Sequence, residues 1–246
     1  MKTQHEYIYG TTNIKLSCSI CNILVTDCFN FGYVKNNLAN ISGFLNNIIP
    51  KLSKLRESHH KELLKYNNSN EKITKIVESN IYNIYLKQFD LEEDNQINIP
   101  FRINNKSRDY FIYIEDILLP LFDIDFTNYI RSLLKEYSIK DNIKRELCYF
   151  SEHLCDLKKF IQCSQFIKIY TKEKATHKII PVSLEQSTIH NKNYIVGYDP
   201  VDASVIIIEL SVIKDISYLK DKFVLNDELI ESICNYAYDK LNKEEE

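Results

Sequence analysis

Alternation and helical spacing divide the chain into segments of different character. From Asn13 to Ile20, N-I-K-L-S-C-S-I sets Ile14, Leu16, Cys18 and Ile20 on one face and Lys15, Ser17 and Ser19 on the other. That is the period of a half-buried strand. A helical pattern follows through Val34, then a polar break at Lys35-Asn36-Asn37, then N-I-S-G-F-L-N-N-I-I with Phe44, Leu45, Ile48 and Ile49 at helical spacing. This second helix begins near Ser42-Gly43, and Pro50 should end or kink it. Between Glu71 and Gln88, Ile73, Ile76, Val77, Ile81, Ile84 and Tyr85 form one helical stripe, and the acidic, polar run Asp90–Asn98 reads as a loop. Phe126, Tyr129, Ile130, Leu133, Leu134 and Tyr137 form another stripe, with Asp125 or Thr127 near its start. Three β-rich runs separated by polar turns fill Ile169 to Ile216, and Asp227–Leu241 should close the chain as a helix. The expected class is α+β. A strand-helix-helix segment (residues 1–70) leads into a helical middle (71–152), then a small antiparallel β-barrel with a C-terminal helix (153–246).

Composition narrows the chemistry. With 44% hydrophobic and 26% charged residues, the chain has the make-up of a globular protein. Four glycines cannot assemble a G-x-G-x-x-G or G-x-x-x-x-G-K phosphate loop. No apolar run approaches the ~20 residues that span a bilayer, and the first residues lack a signal-peptide core, so a cytoplasmic protein without a membrane partner is expected. Seven cysteines, an odd number, fit reduced thiols better than a disulfide framework. Cys18-x-x-Cys21, with Cys28 beyond it, is half of a zinc site and lacks the second pair that four-coordinate zinc needs. Arg56-Glu57-Ser58-His59-His60 resembles the arginine–histidine pairs of HEPN ribonucleases, but the spacing is too short, and it reads as the polar face of a helix. Neither G-x-S-x-G nor H-E-x-x-H occurs. A non-enzyme without metal or cofactor is the expectation.

Charge is uneven. Residues 1–66 carry eight Lys/Arg against four Asp/Glu, whereas residues 221–246 carry three against eight. A basic front end is compatible with a nucleic-acid partner. The order strand, helix, break, helix in this stretch resembles the ribbon-helix-helix DNA-binding fold. The resemblance implies a homodimer, because a lone strand cannot bury its apolar face and two chains would pair their strands into one ribbon. Lys15 and Ser17 would then point into the major groove, and free N–H groups at Ser42 and Gly43 would hold a phosphate.

The run I-Y-T-K-E-K-A-T-H-K-I-I-P-V-S-L, then N-Y-I-V-G-Y-D, then V-I-I-I-E-L-S-V-I-K-D-I is similar to the WYL domain, an Sm-like barrel of prokaryotic regulators. Tyr170, Pro181, Leu184, Tyr194, Asp199, Leu210 and Ile213 fall at the family's positions, and its name-giving triplet stands here as Asn193-Tyr194-Ile195. The stretch T-N-Y-I-R-S-L-L-K-E-Y-S followed by Lys144–Leu147 resembles the helical segment of ribbon-helix-helix proteins of the WYL group. These include accessory proteins encoded beside type VI-D CRISPR ribonucleases, so a CRISPR effector protein is an implied partner. At the family's basic positions this chain has Ile206, Glu209 and Val212, which removes the phosphate-gripping forks. Basic side chains remain at Lys168, Lys172, Lys174, His177, Lys178 and Lys192, near Tyr170 and Tyr194. Lysines tracking a backbone beside stacking aromatics would suit single-stranded RNA or DNA. The expectation is therefore a nucleic-acid-binding regulator, either a transcription regulator or an RNA-binding accessory in phage defence. The alternative is a protein-interaction adaptor that keeps the barrel without its ligand pocket.

Overall fold

The computed structural model describes residues 10–65, 96–122 and 124–243. The helix expected over Glu71–Gln88 and most of the Asp90–Asn98 loop lie outside the described residues. The chain divides into two compact units, residues 1–140 and 141–246.

In the first unit the order is β1 (Thr11–Ser17), α1 (Cys18–Asn30), β2 (Val34–Lys35), β3 (Leu38–Ala39), α2 (Ile41–Lys65), β4 (Gln96–Arg102), α3 (Arg108–Tyr113), a π-helical turn (Ile114–Leu118), α4 (Leu119–Phe122) and α5 (Phe126–Ser138). The first strand is shorter than its alternation implies. Ser17 accepts a hydrogen bond from the Ile20 N–H at 3.4 Å and caps α1, so Cys18 and Ser19 are helical. Val34, assigned above to the first helix, instead starts β2. Asn36 and Asn37 take φ of 52° and 62° in the two-residue turn to β3, the left-handed pair that a tight hairpin demands.

The main correction concerns β1. It pairs antiparallel with β4 of the same chain, in register from Thr11 opposite Arg102 to Ser17 opposite Gln96. Ile14 and Leu16 from one strand, with Ile99 and Phe101 from the other, are buried on one face of this ribbon. A second chain is thus not needed to complete it, and the argument for an obligatory homodimer falls. The Gln96–Asn98 part of the expected loop is strand. Pro100, which has no N–H to give, sits opposite Asn13 in this two-stranded ribbon. Phe44, Leu45, Ile48, Phe111, Phe126, Tyr129 and Tyr137 complete the unit's core.

Pro50 neither ends nor visibly interrupts α2, which runs 25 residues through it. A proline at this position leaves the carbonyl four residues back without its helical donor. Ser107 supplies one: its Oγ donates to the Asn46 carbonyl at 2.8 Å. Several polar groups around the helix core are paired across it. Tyr137 donates to Asp27 at 2.7 Å, and Arg56 meets Glu136 at 3.1 Å and donates to Ser132 at 2.9 Å. Glu57 accepts from Tyr110 and Tyr113 at 2.9 and 3.0 Å. Arg56 and Glu57, the two leading residues of the Arg-Glu-Ser-His-His run, thus serve as clamps between helices.

The second unit comprises α6 (Asn142–Tyr149), α7 (Ser151–Gln162), β5 (Gln165–Thr171), β6 (Thr176–Ser187), β7 (Lys192–Asp199), β8 (Ser204–Glu209), a 3-10 turn (Leu210–Val212), β9 (Ile213–Lys222) and α8 (Asp227–Asn242). The strands form one antiparallel sheet in the order β8-β7-β6-β5-β9. β8 and β9 are its two edges and do not pair with each other, so the closed barrel expected from the sequence is not seen; the unit is an open five-stranded sheet with helices. Phe166, Ile180 and Val196 pack with Leu225, Ile233 and Ala237 at the start and inner face of α8. Asn226 caps α8 by accepting from the Leu229 N–H at 2.8 Å.

Candidate nucleic-acid interface

The sequence-selected residues fall into three places. The first is the outer face of the β1–β4 ribbon. Thr11, Asn13 and Lys15 stand exposed there, opposite Arg102, Pro100 and Asn98. Because side chains alternate, this face is fixed by the burial of Ile14, Leu16, Ile99 and Phe101 beneath it. It holds Lys15 and Arg102 and no acidic residue. Ser17, expected to read bases, is committed to its cap and to Ser19, whose hydroxyl lies 2.9 Å away.

Arg102 also belongs to a cavity of about 900 Å³ lined by Ser42, Gly43, Asn46, Lys106 and Arg108 together with the turn 103–105. The two residues expected to bind phosphate through free N–H groups are here, but the means differ. The Gly43 N–H donates to Asn40 Oδ1 at 3.0 Å, so Asn40 caps α2 and that donor is taken. Gly43 is required by this cap: a Cβ at 43 would lie 2.5 Å from Asn40 Nδ2 and 2.8 Å from its Cγ. Ser42 Oγ lies 3.3 Å from the Arg102 N–H that it accepts and ties strand to helix. Asn46 donates to the Arg102 carbonyl and accepts from the Asn104 N–H, both at 2.8 Å. The cavity floor is thus set by satisfied amides, while Arg102 and Lys106 are exposed at its wall and form no ion pair among the described residues. Arg102, Lys106 and Arg108 carry no signal in the sequence, because the loop reading takes in the start of β4 and Pro100 breaks the alternation of the rest.

The second place is the face of β5–β6. Lys168 lies directly opposite Lys178, and Tyr170 opposite Thr176. Lys168 Nζ sits 5.3 Å from the Tyr170 ring centre and Lys178 Nζ 4.8 Å from that of Phe166. Asp221 is 3.8 Å from Lys178, and Asp215 stands opposite Tyr170 on β9, so the patch is partly neutralised. His177, one residue away from Lys178, faces the other side opposite Ile169, and Lys174 sits out in the turn with φ of 65°.

The third place gathers Lys172, Lys192 and Tyr194 around two carboxylates. Lys192 pairs with Glu209 at 2.6 Å, and this bond raises the lysine pKa. Burial lowers the Lys172 pKa, while Glu209 and Glu146 pull it back up. Burial likewise raises the Tyr194 pKa. Glu146 is buried, and its Oε2 accepts from the Asn193 N–H at 2.9 Å and from Asn193 Nδ2 at 2.6 Å. Burial raises its pKa against the pull of those two donors. Asn193 is therefore a buried bracket for a helix carboxylate. The six expected residues of the sheet unit's basic set and its two tyrosines do not form one groove. Among the described residues no group of His, Cys, Asp and Glu could hold a metal ion, and no helix is long and apolar enough to cross a membrane.

No family model matches the chain, and no curated protein matches it. Solved structures do. One, described as the crystal structure of a CRISPR Cas-related protein, superposes with a TM-score of 0.67 at 15% identity, covering 94% of this chain and 68% of that one. Proteasome accessory factor B/C (PafBC) of Arthrobacter aurescens gives a TM-score of 0.28 at 10% identity over 53% of this chain and 24% of its own, too low to carry an argument. At 15% identity the first likeness establishes a shared fold.

Proposed function

We propose that the chain is a non-enzymatic, nucleic-acid-binding accessory protein of a CRISPR-type system, and that it binds through its first unit. The observation that carries this is the exposed ribbon face, where Lys15 and Arg102 stand among Thr11, Asn13 and Asn98 with no carboxylate on either strand. A two-stranded ribbon has the width that a major groove admits, and amide and hydroxyl side chains beside cations suit both base edges and phosphates. The shared fold with a CRISPR Cas-related protein supports the setting. The second unit is read as a WYL-type domain whose anion-binding face has been replaced. Charge reversal at Lys15 and Arg102 tests the reading by fluorescence anisotropy against labelled duplex DNA, single-stranded DNA and single-stranded RNA. Affinity should fall at least tenfold for the bound probe; an unchanged affinity in the double variant refutes it.

One observation favours a second reading, a protein-interaction adaptor. Glu209, standing where the resembled family is basic, consumes Lys192 within the chain. An adaptor would bind none of the three probes and would be retained on an immobilised partner protein.

A further inference from the structure

The cavity beside the ribbon differs from the ribbon face in shape and in charge density. Three cationic residues, Arg102, Lys106 and Arg108, line one concavity of about 900 Å³, Arg108 with its guanidinium tied to Asn105, and no carboxylate is among its described lining residues. A strand of nucleic acid lying across an open face presents one phosphodiester, of charge about −1, to each cation it passes. Three cations around one recess call for a denser anion. A phosphate monoester carries about −1.5 to −2 at neutral pH and three acceptor oxygens, and within nucleic acids it occurs only at a strand end or on a free nucleotide. The cavity volume lies within the range of small-molecule sites, roughly 300–1,000 Å³, so a nucleoside can enter with its phosphate.

The recess is also built in advance. Asn46 holds α2, the end of β4 and the Asn104 backbone together, and Ser107 anchors the turn to the carbonyl that Pro50 leaves free. Asn104 Oδ1 accepts from the Ser107 N–H at 3.0 Å, and Asn105 Oδ1 accepts from Arg108 Nη2, which fixes the guanidinium at the wall. A floor that need not reorganise, with the Arg108 guanidinium already held, leaves only the Arg102 and Lys106 side chains to be ordered when an anion binds.

From this geometry we infer that the cavity is a site for a nucleotide phosphate monoester, either a phosphorylated strand end or a free mononucleotide. Arg102 is shared, so a strand seated there by its end continues onto the ribbon. For strand ends the inference rests on the nucleic-acid reading above; for the mononucleotide it stands apart.

The test uses the full chain. Anisotropy compares labelled 12-mer RNA and DNA carrying a 5′-phosphate, a 5′-hydroxyl or a 3′-phosphate, in the wild type and in the Lys106→Glu and Lys15→Glu variants. Calorimetry with adenosine monophosphate and with adenosine covers the free nucleotide. A phosphorylated end should bind about tenfold tighter than the hydroxyl end. The preference should vanish in Lys106→Glu and survive in Lys15→Glu, whose overall affinity falls. It should also shrink as pH drops through about 6, where the monoester takes up its second proton. Adenosine monophosphate binding to the wild type, absent for adenosine and absent in Lys106→Glu, upholds the site even if no oligonucleotide binds, and in that case only the ribbon reading is lost. Equal affinity for both kinds of end together with no mononucleotide binding overturns the inference, as does a preference that Lys106→Glu leaves intact.

Discussion

Replacing Glu146 isolates what holds the second unit's helix–sheet junction. Its carboxylate is buried, and one oxygen accepts both the backbone N–H and the side-chain amide of Asn193. Glu146→Leu removes the acceptor and strands two buried donors, although Asn193 Nδ2 keeps a bond to the Ile143 carbonyl at 3.0 Å. An unsatisfied buried donor costs about 1–3 kcal/mol. Counting the backbone N–H in full and the amide in part gives a loss of roughly 2–4 kcal/mol, a large share of a typical stability of about 5–15 kcal/mol. Glu146→Gln keeps an oxygen where both donors converge and discards a charge that burial disfavours, so it should lie within about 1 kcal/mol of the wild type. pH separates the two further. A carboxyl whose folded pKa is raised binds a proton more readily folded than unfolded, so stability falls as pH rises from the unfolded pKa, near 4.5, through the raised folded one. That penalty is fully present above this window and absent in Glu146→Gln, so the variant's stability relative to wild type should improve on going from acid to neutral pH. Urea unfolding followed by circular dichroism at pH 4.5 and 7 gives the readout. Glu146→Leu as stable as wild type, or Glu146→Gln as unstable as Glu146→Leu, would show that the Glu146–Asn193 bracket does not hold the junction.

Other perturbations have equally definite outcomes. Gly43→Ala pushes the Asn40 cap off α2 and should lower stability by about 0.5–2 kcal/mol in thermal melts. Ser107→Ala leaves the Asn46 carbonyl beside Pro50 without its donor and should cost about 1–2 kcal/mol, whereas the double change with Pro50→Ala should recover part of it. In the folded protein Cys155 and Cys163 are exposed and should react promptly with a thiol reagent at pH 8. Cys28, pushed up to about 12 chiefly by burial, should react only on unfolding, as peptide mapping by mass spectrometry can show.

Strong periodicity was the most readable signal in the sequence. The stripe from Phe126 to Tyr137 became α5 with Asp125 as its cap, and Asp227–Leu241 became α8 to within a residue. The three β-rich runs became β5–β9 of a mixed helix-and-sheet fold. Where the reading failed, competing local chemistry won. Cys18 and Ile20 continue the strand alternation, but Ile20, Cys21, Leu24 and Cys28 also fit one helical face, and the Ser17 cap decides for the helix. β4 was hidden because Pro100 interrupts an alternation whose apolar members are only Ile97, Ile99 and Phe101. Its pairing with β1, some eighty residues away, carries no local signal. With β4 unread, the basic cavity at Arg102, Lys106 and Arg108 could not be assembled. The neutralising pairs were equally invisible: Lys192 and Glu209 meet only because the β7–β8 register sets Tyr194 opposite Glu209.

We place nucleic-acid binding on the first unit and not on the sheet of the second. The salt dependence of affinity for the preferred probe separates the two in three proteins: wild type, Lys15→Glu/Arg102→Glu, and Lys168→Glu/Lys178→Glu. Each lost phosphate contact lowers the slope of log K against log salt by about 0.9 on duplex and about 0.7 on single strands. The account predicts a slope shallower by roughly 1.4–1.8 in the ribbon variant and an unaltered slope in the sheet variant. The reverse pattern, a flattened slope in the sheet variant with the ribbon variant unchanged, would contradict it.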